Sequence, residues 1–269
     1  MIRSCLPNPF IFVSWLLGGV IVLVSGLALM VIAVPELADL PHLTAIALDG
    51  RVIESLSLTF AAGCSAVLFL LLCGTPLAYA LSRTTSRWRS VAESLLDLPL
   101  ALPHTVAGLM VYLLFMSRGL IGGPLAQAGI FFEDAFLGIV MAMIFVSSPY
   151  YVNTVREGFE RVPVHLEYVA RTLGATEFAA FRFIALPLCS RHIWSGALLA
   201  WGRAVGEFAA VIMIAYFPEV ISALMYQRFS TGGIAESRSI AFIMIVVCLV
   251  VFFTLRTMTR TRGENDDHH

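Results

Sequence analysis

Six long stretches with few or no charged side chains constrain this chain more than any other feature. They cover residues 9–34, 55–82, 98–117, 135–155, 192–217 and 238–257. A helix needs roughly 20 predominantly apolar residues to cross a hydrocarbon core of about 30 Å. A helix also satisfies its own backbone hydrogen bonds, which a bilayer requires. The stretches therefore predict an all-α membrane protein with six transmembrane helices in a single domain, residues 1–269.

Composition agrees with a membrane protein, and the distribution of arginine predicts its orientation. Charged residues make up 13% of the 269 residues, whereas soluble domains are about 25% charged. All 17 basic residues are arginine. With the N-terminus inside, twelve arginines lie in cytoplasmic segments and four in external loops, as the positive-inside rule requires. Both termini are therefore predicted to be cytoplasmic, in a multi-pass protein of the plasma membrane.

The sequence indicates neither a cleaved leader nor a metal site. The apolar run after Arg3 is about 25 residues long, whereas the core of a signal peptide has about 7–15. The first span is therefore predicted to be retained. The five cysteines are scattered without a C-x-x-C or Cys/His spacing, and no nucleotide-binding glycine pattern is present. We expect no catalytic residue, metal or cofactor in this chain, and no nucleic-acid partner.

The longest predicted cytoplasmic loop, residues 156–191, contains a helix–turn–helix pattern. Pro163 suits the first turn of a helix, where its missing N–H is not needed. Gly174 lies where that helix would stop, because glycine adopts a left-handed cap at little cost, and Thr176 can cap a second helix. The pattern predicts an exposed elbow at Gly174–Ala175 that could dock into a groove on a partner protein. The alternative is a merely amphipathic surface loop.

This loop resembles the signature of ABC importer permeases. In that signature E-A-A, three residues, Gly, nine residues and I-x-L-P form the coupling helix that contacts the ATPase. Gly174 and the Ile184–Pro187 segment match the spacing, whereas E-A-A falls on residues 168–170 and Glu167 stands one position early. Either Glu167 supplies the acidic contact to the ATPase, or that contact is absent. The resemblance implies a coupling role for Glu167, Ala170, Arg171, Gly174, Ala175, Ile184, Leu186 and Pro187.

Three further runs resemble the molybdate/tungstate branch of these permeases. They are DLPLALPHTVAGL at 97–109, VARTLGA at 169–175 and RAVGEFAAV at 203–211. The resemblance covers most of the chain from about residue 57 and implies the type I ABC importer permease fold. It also implies a homodimer bound to two copies of an ABC ATPase subunit, and an extracytoplasmic binding protein that delivers the oxyanion. ATP and Mg would then be bound by the partner ATPase.

The start of the third predicted span contains candidate residues of a transport pathway. Pro99 and Pro103 free backbone carbonyls and permit a kink, which membranes tolerate where the freed groups find partners or line a cavity. His104 and Thr105 follow directly and could face the pathway. The alternative is a kinked structural helix in which a carbonyl satisfies His104.

Two charged residues lie within the fifth predicted span. Arg203 and Glu207 are four residues apart, so they share a helix face and can pair. A charge at the bilayer centre costs about 2.5–3.5 kcal/mol on the insertion scale, so neither should face lipid. A pathway role and a structural ion pair both remain open. Because a bare glutamate would repel an anion, Glu207 is better suited to helix packing or gating, offset by Arg203.

Hydroxyl groups in the fourth predicted span offer another pathway surface. Ser147 and Ser148 precede a proline there, and hydroxyls can donate hydrogen bonds to an oxyanion. The alternative is that both hydroxyls bond to the preceding helical turn.

The leading hypothesis is therefore the membrane subunit of an ATP-driven molybdate or tungstate importer that works by alternating access. A permease for sulfate or another small solute is a close alternative. An ion-driven secondary transporter would be expected to show inverted repeats, and the sequence shows no internal repeat.

Overall fold

The chain folds into helices joined by short loops, with no β-strand in the part that the structure describes. A computed structural model describes the backbone of residues 9–266 and the side chains of residues 10–254, apart from residue 12. This confirms the all-α prediction. The predicted cytoplasmic termini include residues 1–8 and 267–269, outside the described range, and their location stays a prediction. In chain order the helices are α1 (Pro9–Ala38), α2 (Leu40–Ala47), α3 (Gly50–Phe69), α4 (Thr75–Arg83), α5 (Arg87–Ala101), α6 (His104–Phe115), α7 (Gly122–Gln127), α8 (Phe136–Arg161), α9 (Val164–Thr172), α10 (Glu177–Ala180), α11 (Leu186–Val205), α12 (Ala209–Ile214), α13 (Ile221–Gly232) and α14 (Ile234–Asp266).

Five continuous helical segments are long and apolar enough to cross a membrane, and a bent pair of helices forms a sixth candidate. The continuous segments are Val13–Ala38, Gly50–Arg83, Phe136–Arg161, Glu177–Val205 and Ile234–Thr254. The pair consists of α5 and α6, which are bent by 120° relative to each other. Each of the six predicted spans overlaps one of these segments.

The third predicted span is broken rather than continuous. α5 ends at Ala101 and α6 begins at His104. Leu102 is extended, with φ −92° and ψ 146°, because a residue before proline is disfavoured in the helical region. α5 continues through Pro99, which is buried inside it. The kink predicted for the two prolines therefore occurs at Pro103.

The fifth predicted span ends earlier than the sequence indicated. α11 ends at Val205, and the short helix α12 follows only at Ala209. The break coincides with Gly206 and Glu207, two residues that interrupt the apolar run and do not favour a helix interior in a membrane. Residues 192–217 therefore form two helices, and the longer one begins outside that range, at Leu186.

In the part of the chain that the structure describes, two π-helical segments interrupt the helices near the loop of residues 156–191. They cover Leu70–Gly74, between α3 and α4, and Phe181–Ala185, between α10 and α11. At the first, the hydroxyl oxygens of Thr75 and Tyr151 lie 2.7 Å apart. π-helical turns inside α-helices are rare and occur frequently at functional sites. The second lies within the loop that the sequence singled out, and the first adjoins α4, which contacts that loop.

The core is built around α8. Of its most apolar 18-residue segment, 61% is buried inside the protein, and α3, α4, α6 and α11 pack around it. The side chains of Ile139, Met143, Tyr151 and Phe159 are completely buried. α1 is the opposite case, since none of its most apolar segment is buried. Its C-terminal end is held by Glu36, whose carboxylate accepts hydrogen bonds from Arg238 and Ser239.

Candidate functional site

The loop of residues 156–191 forms the predicted helix–turn–helix, which we call the coupling element (residues 163–187). α9 begins after Pro163 and ends at Thr172, and Gly174 then has φ +96°. This left-handed conformation favours glycine. The hydroxyl of Thr176 accepts a hydrogen bond from the Ala179 N–H at 3.1 Å and caps α10. The predicted glycine stop and threonine cap are both confirmed.

The elbow of the coupling element projects into open space. No atom lies within 4 Å of the position that a Cβ would take at Gly174, and the Leu173 side chain beside it is 83% exposed. The apolar side chains of Tyr168, Val169 and Phe178 are also exposed. These apolar side chains therefore face outward, where they are available to another protein.

An ion pair and a cleft lie beside the elbow. The Arg171 guanidinium lies 2.9 Å from the Glu177 carboxylate, and both side chains are exposed. The pair connects α9 to α10 within the coupling element. A cleft of about 550 Å³ lies against it and is lined by Tyr168, Arg171, Thr172, Ala175, Thr176 and Glu177.

Glu167 points into its own chain. Its side chain is 7% exposed, and its Oε1 lies 2.6 Å from Nη2 of Arg83. The same oxygen accepts from Arg83 Nε at 3.1 Å, and Oε2 accepts from the Tyr79 hydroxyl at 2.5 Å. Both oxygens of the Glu167 carboxylate therefore already accept hydrogen bonds from side chains of the same chain. The acidic contact to the ATPase, which would need a slight rotation of Glu167, stays a prediction.

Arg83 and Tyr79 are the residues that the sequence analysis missed. Arg83 also donates to the carbonyl oxygens of Phe159 at 3.0 Å and Val162 at 3.4 Å, at the end of α8. Its guanidinium lies 5.5 Å from the centre of the Tyr79 ring. The available signal was the spacing of Tyr79 and Arg83, four residues apart at the end of an apolar span. Nothing in the sequence identified Glu167 as their partner.

The remaining coupling residues lie where the element joins the fifth span. Ile184 is in the second π segment, while Leu186 and Pro187 begin α11. Ile184, Leu186 and Ala170 are partly buried, and Pro187 is exposed. The structure therefore divides the signature into an exposed elbow at Gly174–Ala175 and a junction with α11.

A second charged site occupies the break in the fifth span. The Glu207 side chain is 2% exposed, and its Oε2 lies 2.6 Å from Nη2 of Arg203. Its Oε1 accepts a hydrogen bond from the Ala210 N–H at 2.7 Å, and its carbonyl oxygen accepts one from the Ser222 hydroxyl at 3.0 Å. The expected pairing is confirmed. Glu207 also caps the first turn of α12, which the sequence did not indicate.

The third and fifth spans meet at this break. Nε2 of His104 lies 4.0 Å from Oε2 of Glu207, and Thr105 next to it is exposed. α6 packs closely on α12, because a Cβ added to Gly108 would lie only 2.6 Å from Cα of Ala210. The structure thus brings His104, Arg203 and Glu207 together from separate parts of the sequence.

The serines of α8 have other partners. Ser147 donates to the Met143 carbonyl at 2.5 Å, and Ser148 donates to the Phe145 carbonyl at 3.0 Å. The geometry therefore favours the alternative in which both hydroxyls bond to the preceding turn. Among the described residues, no cluster of three or more His, Cys, Asp or Glu side chains could hold a metal ion.

The family follows from a match over most of the chain. Residues 71–260 match the family model described as "Binding-protein-dependent transport system inner membrane component". This chain belongs to that family. The matched region contains the coupling element and both breaks in the spans, and it places this multi-pass permease in the cell membrane.

Curated relatives of the permease are similar over nearly its whole length. It is 36% identical over 249 residues to the molybdate/tungstate transport system permease protein WtpB of Pyrococcus furiosus, covering 93% of this chain and 94% of that one. The protein of the same name in Methanocaldococcus jannaschii is 38% identical over 216 residues, covering 80% and 85%. The sulfate transport system permease protein CysT of Escherichia coli is 33% identical over 217 residues, covering 79% and 78%.

Solved structures confirm the ABC importer permease fold. A chain of a bacterial ABC transporter that imports the acidic polysaccharide alginate aligns with a TM-score of 0.69 at 18% identity, covering 94% of this permease and 98% of that chain. An amino acid ABC transporter aligns with a TM-score of 0.55 at 19% identity, covering 83% and 97%.

Proposed function

We propose that this permease is the membrane-spanning subunit of an ATP-driven importer for molybdate or tungstate. The substrate class is supported by the identity to the molybdate/tungstate permease of P. furiosus, which extends over 93% of this chain. The similarity to the sulfate permease of E. coli covers less of the chain, 79%. Sulfate has the same tetrahedral oxyanion chemistry, so it is the second candidate substrate.

The coupling element supports an ATP-driven mechanism. The exposed apolar elbow offers a surface to which a partner protein can bind. Gly174 at its tip has a left-handed conformation and no side chain, so the tip is accessible to the partner. In the proposed complex, a homodimer of this chain binds two ATPase subunits through these elbows. ATP and Mg bind to the ATPases, and closure of the ATPases moves the elbows. An extracytoplasmic binding protein delivers the anion.

The break in the fifth span is proposed to adjoin the anion pathway. Arg203 is already neutralised by Glu207 at 2.6 Å, so the break does not present an unpaired cation to the anion. His104 and Thr105 remain exposed beside it and offer an imidazole and a hydroxyl. Weak contacts of this kind suit a permease, because a tightly bound anion would leave slowly.

The test is ATP hydrolysis by the complex of this chain with its ATPase in liposomes. The binding protein is added with molybdate, tungstate, sulfate or no anion. We expect stimulation of hydrolysis by molybdate or tungstate. Stimulation by sulfate alone would identify sulfate as the substrate and would leave the proposed ATP-driven mechanism unchanged. Failure of the ATPase to co-purify would contradict the proposed coupling.

A matched pair of glycine variants tests the elbow itself. Gly174 and Gly129 both have positive φ, +96° and +82°, and open space around them. Gly174→Glu is expected to abolish association with the ATPase while leaving membrane insertion intact. Gly129→Glu creates the same backbone strain in the loop between α7 and α8, and it should leave association unchanged. Equal association of both variants would refute ATPase docking at the elbow.

A further inference from the structure

We infer that the contact of Glu167 with Arg83 and Tyr79 is the joint that carries movement of the coupling element into the second span. The inference rests on the proposed function, because it requires an ATPase docked on the elbow. It assigns Arg83, Tyr79 and Glu167 as positioning residues for transport.

Glu167 is the side chain that attaches α9 to α4. It is the buried residue of α9, whereas Tyr168, Val169 and Leu173 around it are exposed. α9 is bounded by turns at Pro163 and Gly174. A helix held between two turns can rotate unless a side chain fixes it, so a load on α9 reaches the second span through Glu167.

The geometry of the contact fixes orientation as well as distance. Arg83 approaches Oε1 with two nitrogens, at 2.6 and 3.1 Å, while the Tyr79 hydroxyl approaches Oε2 at 2.5 Å. Charge-assisted contacts at several points are strong and directional. Both carboxylate oxygens are engaged, so rotation of α9 in either direction breaks a contact.

Arg83 extends the joint to two membrane helices. It is the last residue of α4, and it also donates to the Phe159 and Val162 carbonyls at the end of α8. A displacement of α9 therefore acts on the second span through α4 and on the central helix through α8. The π segment Leu70–Gly74 directly precedes α4 in the second span. Because it interrupts the regular helix, we expect bending of this span to concentrate there.

An ion-pair group that contacts α8 but not α9 provides the control. Nε of Arg89 lies 2.8 Å from Glu93 and its Nη2 lies 2.6 Å from Glu160, so Arg89 joins α5 to α8. These residues make no link to α9 in the interactions described for this part of the chain. If transmission depends on the contact of α9 with α4, loss of the Arg89 pairs should not affect it.

The experiment measures anion uptake per ATP hydrolysed by the full complex in liposomes. The variants are Glu167→Gln, the charge-swapped Arg83→Glu/Glu167→Arg, and the control Arg89→Gln. For Glu167→Gln we expect the ATPase to remain bound and to hydrolyse ATP, while uptake per ATP falls about tenfold, within the range typical of coupling between sites. The charge swap should recover part of the ratio, and Arg89→Gln should keep that of the unmodified chain.

Two results would contradict the proposed role of the Glu167 contact without contradicting the proposed function. One is an unchanged ratio in Glu167→Gln. The other is a loss of uptake in strict proportion to lost protein or lost ATPase binding, since the contact would then be needed only for folding. If the unmodified chain itself fails to bind the ATPase, that result contradicts both the proposed function and the proposed role of the Glu167 contact, and no variant needs to be measured.

Discussion

Two buried ion pairs, Arg83–Glu167 and Arg203–Glu207, have the same N–O distance, 2.6 Å, but different structural roles. The first joins residues 84 positions apart in the sequence and connects the coupling element to α4. The second joins residues four positions apart and lies within one break of one span. In both pairs the second carboxylate oxygen is also used, by the Tyr79 hydroxyl and by the Ala210 N–H.

The difference shows that the structural effect of an ion pair depends on which elements of the protein it connects. A local pair can shape a helix break, because both partners move with the same backbone. A long-range pair can transmit displacement, because its partners belong to elements that could otherwise move separately. The variants below test this contrast.

The largest loss of stability is expected from Glu207→Leu. It leaves Arg203 unpaired in the membrane and removes the cap of α12. Breaking a buried pair on one side costs about 3–5 kcal/mol, so we expect a strong loss of thermal stability in detergent. The double variant Arg203→Leu/Glu207→Leu removes both charges and should recover much of that stability. A double variant no more stable than Glu207→Leu would mean that the lost cap, not the unpaired charge, dominates.

Arg83→Met should destabilise less, by about 2–3 kcal/mol, because the Glu167 carboxylate keeps the hydrogen bond from the Tyr79 hydroxyl and is not left wholly unpaired. Thermal unfolding in detergent measures the change, and Arg83→Lys is the control that keeps the charge but not the two-nitrogen contact. An effect of Arg83→Met as large as that of Glu207→Leu would remove the distinction in stability between the two pairs.

Gly108→Val tests whether the charged break depends on the contact of α6 with α12. A Cβ there meets the Ala210 backbone at 2.6 Å, and overpacking a tight contact costs about 1–3 kcal/mol. We expect reduced stability together with reduced anion uptake. Gly202→Ala is the control, because no atom lies within 4 Å of its added Cβ. Equal uptake by both variants would show that the contact is not needed for transport.

The smallest effect is expected from Arg171→Gln. The exposed pair with Glu177 should contribute about 0–1 kcal/mol, so thermal unfolding in detergent should hardly change. A loss comparable to that of Arg83→Met would mean that the coupling element is held together by its surface pair rather than by Glu167.

Local patterns in the sequence predicted much of this structure. Apolar length predicted the spans, since the bilayer requires it. Glycine and threonine preferences predicted the stop at Gly174 and the cap at Thr176, because these depend on backbone conformation within a few residues. The spacing of Arg203 and Glu207 predicted their pairing for the same reason. These features need no knowledge of where distant residues lie.

The tertiary structure alone decided which surfaces are buried. In α9 the apolar residues Leu166 and Val169 are exposed, whereas the charged residue Glu167 is buried. The partners of Glu167 lie on α4, and no local rule connects them to α9. The junction of His104 with Glu207 likewise depends on the packing of α6 against α12. The sequence by itself thus determined the helices and their local ends, because those depend on neighbouring residues. Only the fold decided the partners of Glu167 and the approach of His104 to Glu207, because these contacts need distant groups to converge on a buried charge.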